Sequence, residues 1–173
     1  MRKARQLSFL PSVQREHGGS FRKGKRKIAR PFDPKRALHV TMRALGHSMI
    51  RQKWRVWDLM QKTAQKYHVR VYRFANVGNH LHLLVHVKKR AELQAFLREF
   101  AGRVATLVTG AVKGRPQKFW VGLVWSKIVD WGRQFQSASR YVLLNVLEGH
   151  GLRNRRLLAK LETEGIAWAR DPC

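Results

Sequence analysis

Two histidines one residue apart, His80 and His82, stand in the stretch Asn79-His80-Leu81-His82-Leu83-Leu84-Val85-His86-Val87. Imidazole is the commonest protein metal ligand, and alternate residues of an extended strand project from one face, close enough to share one divalent ion. Two histidines are too few for a structural zinc site, which takes four protein ligands, so such an ion would keep open positions. An open, partly hydrated divalent ion suits polarising a phosphodiester and holding its leaving oxygen. The nucleophile must come from elsewhere. The chain has neither a paired-carboxylate cluster nor a Gly-x-Ser-x-Gly elbow, which leaves Tyr67, Tyr72 and Tyr141. Tyr141 is followed four residues on by Asn145, so on a helix the two side chains share a face. Spacing alone leaves other readings open: a helical tyrosine is more often a buried structural residue, and the histidines read also as surface imidazoles on a hairpin. His86 shares their face but lies about 13 Å along the strand from His82, which reads as a substrate-facing or solvated position. His39 and His68 have no partner in this reading.

The elements that must position these residues follow from hydrophobic period. Leu81, Leu83, Val85 and Val87 alternate with His80, His82, Leu84 and His86, the pattern of a half-buried strand whose apolar side meets a core. Val69 to Val77 alternates as well, with Tyr72 and Phe74 on the opposite side from Val71 and Ala75. Gly78-Asn79 is a two-residue turn signal that joins the two strands as a hairpin. Leu38 to Arg43 reads as a first strand. From Ile50 to Tyr67, the residues Ile50, Trp54, Trp57, Met60, Ala64 and Tyr67 recur at helical spacing, predicting an aromatic-rich buried stripe that includes both tryptophans. A second helix starts after Lys88-Lys89-Arg90, with Leu93, Phe96, Leu97, Phe100 and Val104 inward, and ends near Gly110 or Gly114. Phe119 to Asp130 reads as a strand bent at Gly122, and Gln134 to Glu148 as a helix ended by Gly149. The order β-α-β-β-α-β plus a helix predicts an α+β, ferredoxin-like (split βαβ) antiparallel sheet. Two helices cover one face and the C-terminal, tyrosine-bearing helix lies near the open face.

Charge narrows the partners. The 173 residues hold 36 Lys and Arg against 10 Asp and Glu, a net charge of +26, while 44% hydrophobic residues support a core. A domain this basic expects a polyanion, most plausibly nucleic acid. No run approaches the length of a membrane span, and no apolar segment follows the basic N-terminus as in a signal peptide. Cys173 is the sole cysteine, so a reducing cytoplasmic setting, associated with the nucleoid, is expected. Residues 1–36 read as a basic flexible or loosely docked arm, 37–149 as the catalytic domain and 150–173 as a basic tail with a short helix. Arg22, Lys23, Lys25, Arg26 and Lys27 are expected along phosphates. Tyr72 and Phe74 on the open face, with Lys88, Lys89 and Arg90, complete the expected nucleic-acid contacts.

Asn79-His80-Leu81-His82, followed about sixty residues later by a Tyr-x-x-x-Asn helix, resembles the single-tyrosine HUH transposases. The REP-associated tyrosine transposases, in the IS200-like branch, are the nearest likeness, over about Leu38 to Gly149. The resemblance implies that His80, His82 and Asn145 hold Mg²⁺ or Mn²⁺, Asn145 standing where many relatives have Gln. It implies further that Tyr141 attacks a single-stranded DNA phosphate beside a hairpin, forming a 5′-phosphotyrosine and freeing a 3′-OH. Such enzymes act as monomers or as homodimers with a swapped tyrosine helix. The helix departs from the branch in having Asn145-Val146 where Asn-Pro often stands. Two other readings share the features: a non-catalytic binder of hairpin DNA or RNA derived from such a transposase, and a replication- or conjugation-type nickase, which the short chain disfavours.

Overall fold

A computed structural model describes residues 15–19, 29–46, 49–112, 115 and 117–149. The basic run holding Arg22, Lys23, Lys25, Arg26 and Lys27, and the 150–173 tail with its expected short helix, lie outside the described residues. Strands β1 (Glu16–His17), β2 (Ala37–Arg43), β3 (Arg70–Asn76), β4 (His80–His86) and β5 (Trp125–Val129) form one antiparallel sheet in the order β1-β5-β2-β4-β3. Helices α1 (Lys53–Lys66), α2 (Arg90–Thr109) and α3 (Arg133–Gly149) complete it. The central four strands have the split βαβ arrangement expected, with every neighbouring pair antiparallel. Among the described residues no helix is long and apolar enough to cross a membrane.

The alternation in β4 sorts its residues to two layers. Leu81, Leu83, Val85 and Val87 join Leu38, Val40 and Met42 of β2 against Val56 and Met60 of α1 and Phe96 and Phe100 of α2, all fully or nearly fully buried. The opposite face carries His80, His82 and Leu84, and there α3 packs. Its seat is a smaller apolar layer of Ala37, Leu84 and Val129 with Tyr72, Phe135 and Ala138. The Gly78-Asn79 turn forms as the dipeptide dictates, with Gly78 at φ 99° and Val77 N–H donating to the His80 carbonyl at 3.1 Å. Gly110 ends α2 in the left-handed conformation at φ 67°.

Three expectations are revised. Trp54 and Trp57 are exposed, because Val56, Met60, Thr63 and Ala64 face inward and the sheet covers only part of the wide apolar arc. A bulge in β3 between Val71 and Arg73 leaves Tyr72 unpaired and reverses the alternation beyond it. Phe74 therefore pairs with Leu83 and packs on Phe100 in the helix-covered core, not on the open face. Gly149 is the last residue of α3 rather than a cap beyond it. A Cβ there would lie 2.5 Å from the Asn76 carbonyl oxygen, so glycine lets the helix end approach the hairpin backbone. The described part of the 1–36 segment, expected as a flexible or loosely docked arm, lies on the sheet. Glu16 and His17 extend the sheet beside β5, Arg30 donates to Ser126 Oγ at 2.5 Å and to the Val124 carbonyl at 2.9 Å, and Arg36 pairs with Asp130 at 2.7 Å. Pairing β5 with so short a strand also blunts that sheet edge.

Candidate active site

β2 and β4 lie side by side with Thr41 opposite His82 and Arg43 opposite His80. Leu38, Val40 and Met42 face the core, so His39 and Thr41 must share the histidine face. His39 Nε2 lies 3.4 Å from His82 Nδ1, and Thr41 Oγ1 lies 3.2 Å from the same nitrogen. The His80 and His82 rings stand 4.7 Å apart, centre to centre. α3, laid over this face, brings Tyr141 down onto the cluster within the same chain. Its ring centre is 5.3 Å from that of His82 and 5.6 Å from that of His39, edge-on to both. Trp125 of β5 closes the far side of His39 at 5.4 Å. Tyr141 nonetheless remains 48% exposed.

Asn145, one turn beyond Tyr141, is buried, and its amide group donates to the Tyr141 carbonyl at 2.7 Å. That bond uses the nitrogen end of the carboxamide and leaves its oxygen out of it. Ala75 pairs with His82 on the neighbouring strand. The His80 Nδ1–H donates to Asn79 Oδ1 at 2.5 Å, a bond that places the lone pair on Nε2.

Burial keeps His82 and His39 neutral. Burial above all, and then the neighbouring His80 and His39, push His82 down to about 3. Burial first, and Lys127 second, push His39 down to about 4. Neutral imidazoles are what metal ligation requires. His82 Nε2 is buried with no hydrogen-bond partner. An unsatisfied buried nitrogen costs about 1–3 kcal/mol, which a bound cation would offset. Among the described residues no three His, Cys, Asp or Glu side chains gather as a metal site. Two neighbouring strand imidazoles with open positions suit a partly hydrated divalent centre.

The other expected contacts are placed differently. Tyr72 is on the histidine side of the sheet but is covered by Phe135 and Trp131 at 5.2 and 5.7 Å, so it seats α3 rather than meeting a base. Phe74 is in the core. Lys88 and Lys89 are exposed at the far end of β4, about 20 Å along the strand from His82. Lys89 faces Glu92 at 3.7 Å, and Arg90 covers the Phe32 ring at 5.3 Å and donates to the Arg30 carbonyl. The His86 Nε2–H donates to the Pro34 carbonyl at 2.8 Å. His39, assigned nothing from the sequence, is the central member. The signal that could have found it is the Leu38-Val40-Met42 alternation, which puts it on the face of His82 once β2 and β4 are paired.

The sequence profile of the IS200-like transposases matches residues 39–132, more than half the chain, from His39 through both strand histidines to Trp125 and beyond. The chain belongs to the IS200-like transposase family. The matched segment ends just before α3, so Tyr141 and Asn145 enter through the geometry above. The transposase fold is similar to the solved structure of a REP-associated tyrosine transposase bound to a REP hairpin. The TM-score is 0.55 at 11% identity, covering 73% of this chain and 75% of that one. No curated protein matches the sequence.

Proposed function

We propose that this transposase is a divalent-metal-dependent, single-stranded DNA endonuclease and strand transferase whose nucleophile is Tyr141. The observation that carries the reading is the placement of the Tyr141 ring on His82 and His39 by a helix of the same chain. The Tyr141 oxygen forms a bond to phosphorus as the bond from phosphorus to the 3′ oxygen breaks. The phenol gives up its proton and the departing 3′ oxygen takes one up, leaving a 5′-phosphotyrosine and a free 3′-OH. Attack by another 3′-OH reverses the step and rejoins strands, so neither water nor an energy-rich cofactor is consumed. His80, His82 and Asn145 would hold Mg²⁺ or Mn²⁺, which supplies charge stabilisation at the phosphate and the departing oxygen. Asn79 orients His80 for that role, and Thr41 orients His82.

The substrate is read as DNA beside an imperfect hairpin, because the solved relative is bound to a REP hairpin and this chain carries a net charge of +26. The basic segments 1–36 and 150–173, flanking the 37–149 catalytic domain, would add phosphate contacts whose strength falls steeply with salt. The site of action is the nucleoid, in the cytoplasm. The cis placement of Tyr141 lets a monomer complete its own site.

The test is a denaturing-gel assay with end-labelled single-stranded hairpin DNAs from around the gene, in Mn²⁺ or EDTA, beside Tyr141→Phe. A covalent adduct that needs both metal and Tyr141 is the expected result. Tight, salt-sensitive binding without an adduct in either protein would instead make the chain a binding module on a transposase fold.

A further inference from the structure

The flank of α1 turned away from α2 carries two tryptophans in water. Trp54 is 75% exposed and Trp57 45%, and Ile50 in the preceding turn is exposed as well. Three residues apart on a helix, the indoles are neighbours on one face. α2 meets the other flank, where Lys66 and Tyr67 both bond Glu99. Large aromatics scattered singly on a surface need no explanation, but an adjacent pair in one stripe marks an interaction site.

The surroundings select the partner. Arg51, Lys53 and Arg55 lie within the same two turns, with Lys53 Nζ 5.4 Å from the centre of the Trp54 ring. The first turn of α1 has no acidic residue, and the nearby Asp58 is held by Lys62 at 2.8 Å. Aromatic faces set among cations form a track for unpaired bases and their phosphates. A protein interface of this size would be depleted of lysine at its centre. The stripe also begins beside the catalytic strand. Met49 N–H donates to the Gly78 carbonyl, and Asn76 Nδ2 donates to the Met49 carbonyl at 3.2 Å, so α1 starts at the turn that leads into His80.

We propose that Trp54 and Trp57 are a stacking platform for unpaired bases of the single-stranded DNA that flanks the cleavage site, an inference that rests on the single-strand reading above. The platform lies on the opposite side of the sheet from α3. A strand cut at Tyr141 would reach it by passing the Gly78-Asn79 turn.

The test is fluorescence anisotropy of a labelled oligothymidylate of about twelve nucleotides, a length within one single-strand site, in EDTA so that no cleavage intervenes. The full-length protein, Trp54→Ala/Trp57→Ala and Trp54→Phe are compared across a salt series. The expected result is about ten-fold or more weaker binding by the double alanine variant. Its salt slope should be unchanged because every cation remains, and Trp54→Phe should keep most of the affinity because it keeps an aromatic face. Equal affinities for the parent and the double variant would overturn the platform. So would a dimer, seen by sedimentation, that the double variant loses while its DNA affinity holds, since the patch would then be a self-association surface. Failure of the parent protein to bind the oligonucleotide at all would also overturn the platform, while the adduct assay on hairpin DNA decides the endonuclease reading separately. A parent that cleaves hairpin DNA, with a double variant of equal affinity, would remove the platform alone.

Discussion

The ring of Tyr141 stands at 88° to the imidazole of His82, their centres 5.3 Å apart, although fifty-nine positions separate them in the chain. The contact joins α3 to the middle of the sheet. His82 therefore has one face toward the proposed nucleophile and one nitrogen toward His39 and Thr41.

Burial of neutral His39 and His82 makes folding sensitive to mild acid. Both are pushed below the usual histidine value, to about 4 and about 3. Between those values and about 6.5 the unfolded chain binds protons that the folded chain refuses, so stability rises with pH across that window. At pH 5 the loss relative to pH 7.5 is on the order of 2 kcal/mol for each residue. Urea unfolding at the two pH values checks this, and a midpoint that does not fall at pH 5 would refute the burial of the pair.

His39→Ala removes the ring that touches His82, Trp125 and Tyr141. If His39 orients His82 as a ligand, Mn²⁺ affinity drops by about 10- to 100-fold, as for other residues that support a ligand from behind. Calorimetric titration of the folded variant with Mn²⁺ measures this directly. Unchanged affinity would leave His39 a packing residue only.

At Gly149, alanine places a methyl group against the Asn76 carbonyl. The end of α3 must move away, at a cost of about 1–3 kcal/mol. Because the helix also carries Tyr141, the expected outcome is a lowered Tm together with slower adduct formation, while affinity for hairpin DNA holds. A variant with native Tm and native adduct rate would show that α3 does not depend on this approach.

Hydrogen exchange should separate the two layers. α2 rests on the large core through Leu93, Phe96, Leu97, Phe100 and Val104, whereas α3 rests on the smaller layer around Leu84. Amides of α3 are expected to exchange through a lower-energy opening than those of α2. Equal protection of both helices would contradict this ranking.

Much of the site was legible because a strand has a period of two. Leu81, Leu83 and Val85 fix which side of β4 is buried, and that alone turns His80 and His82 the other way. The split βαβ order follows from the lengths and periods of successive segments. What the sequence concealed depends on partners far along the chain. His39 acquires meaning only when β2 is laid beside β4. Trp54 and Trp57 belong to the same apolar arc as Met60, and nothing local says where the core's cover stops. Strict alternation puts Phe74 on the open face, whereas the bulge, which leaves no mark in hydrophobic period, turns it into the core.

That bulge has a further effect. By spending one unpaired residue, β3 sends Tyr72 to one layer and Phe74 to the other, two positions apart where an even count would put both on the same side. The strand thus works as a rivet through the sheet, its head under Phe135 and its shank against Phe100. Repacking beneath Phe100 would be felt at the seat of the tyrosine helix without touching any residue of the site.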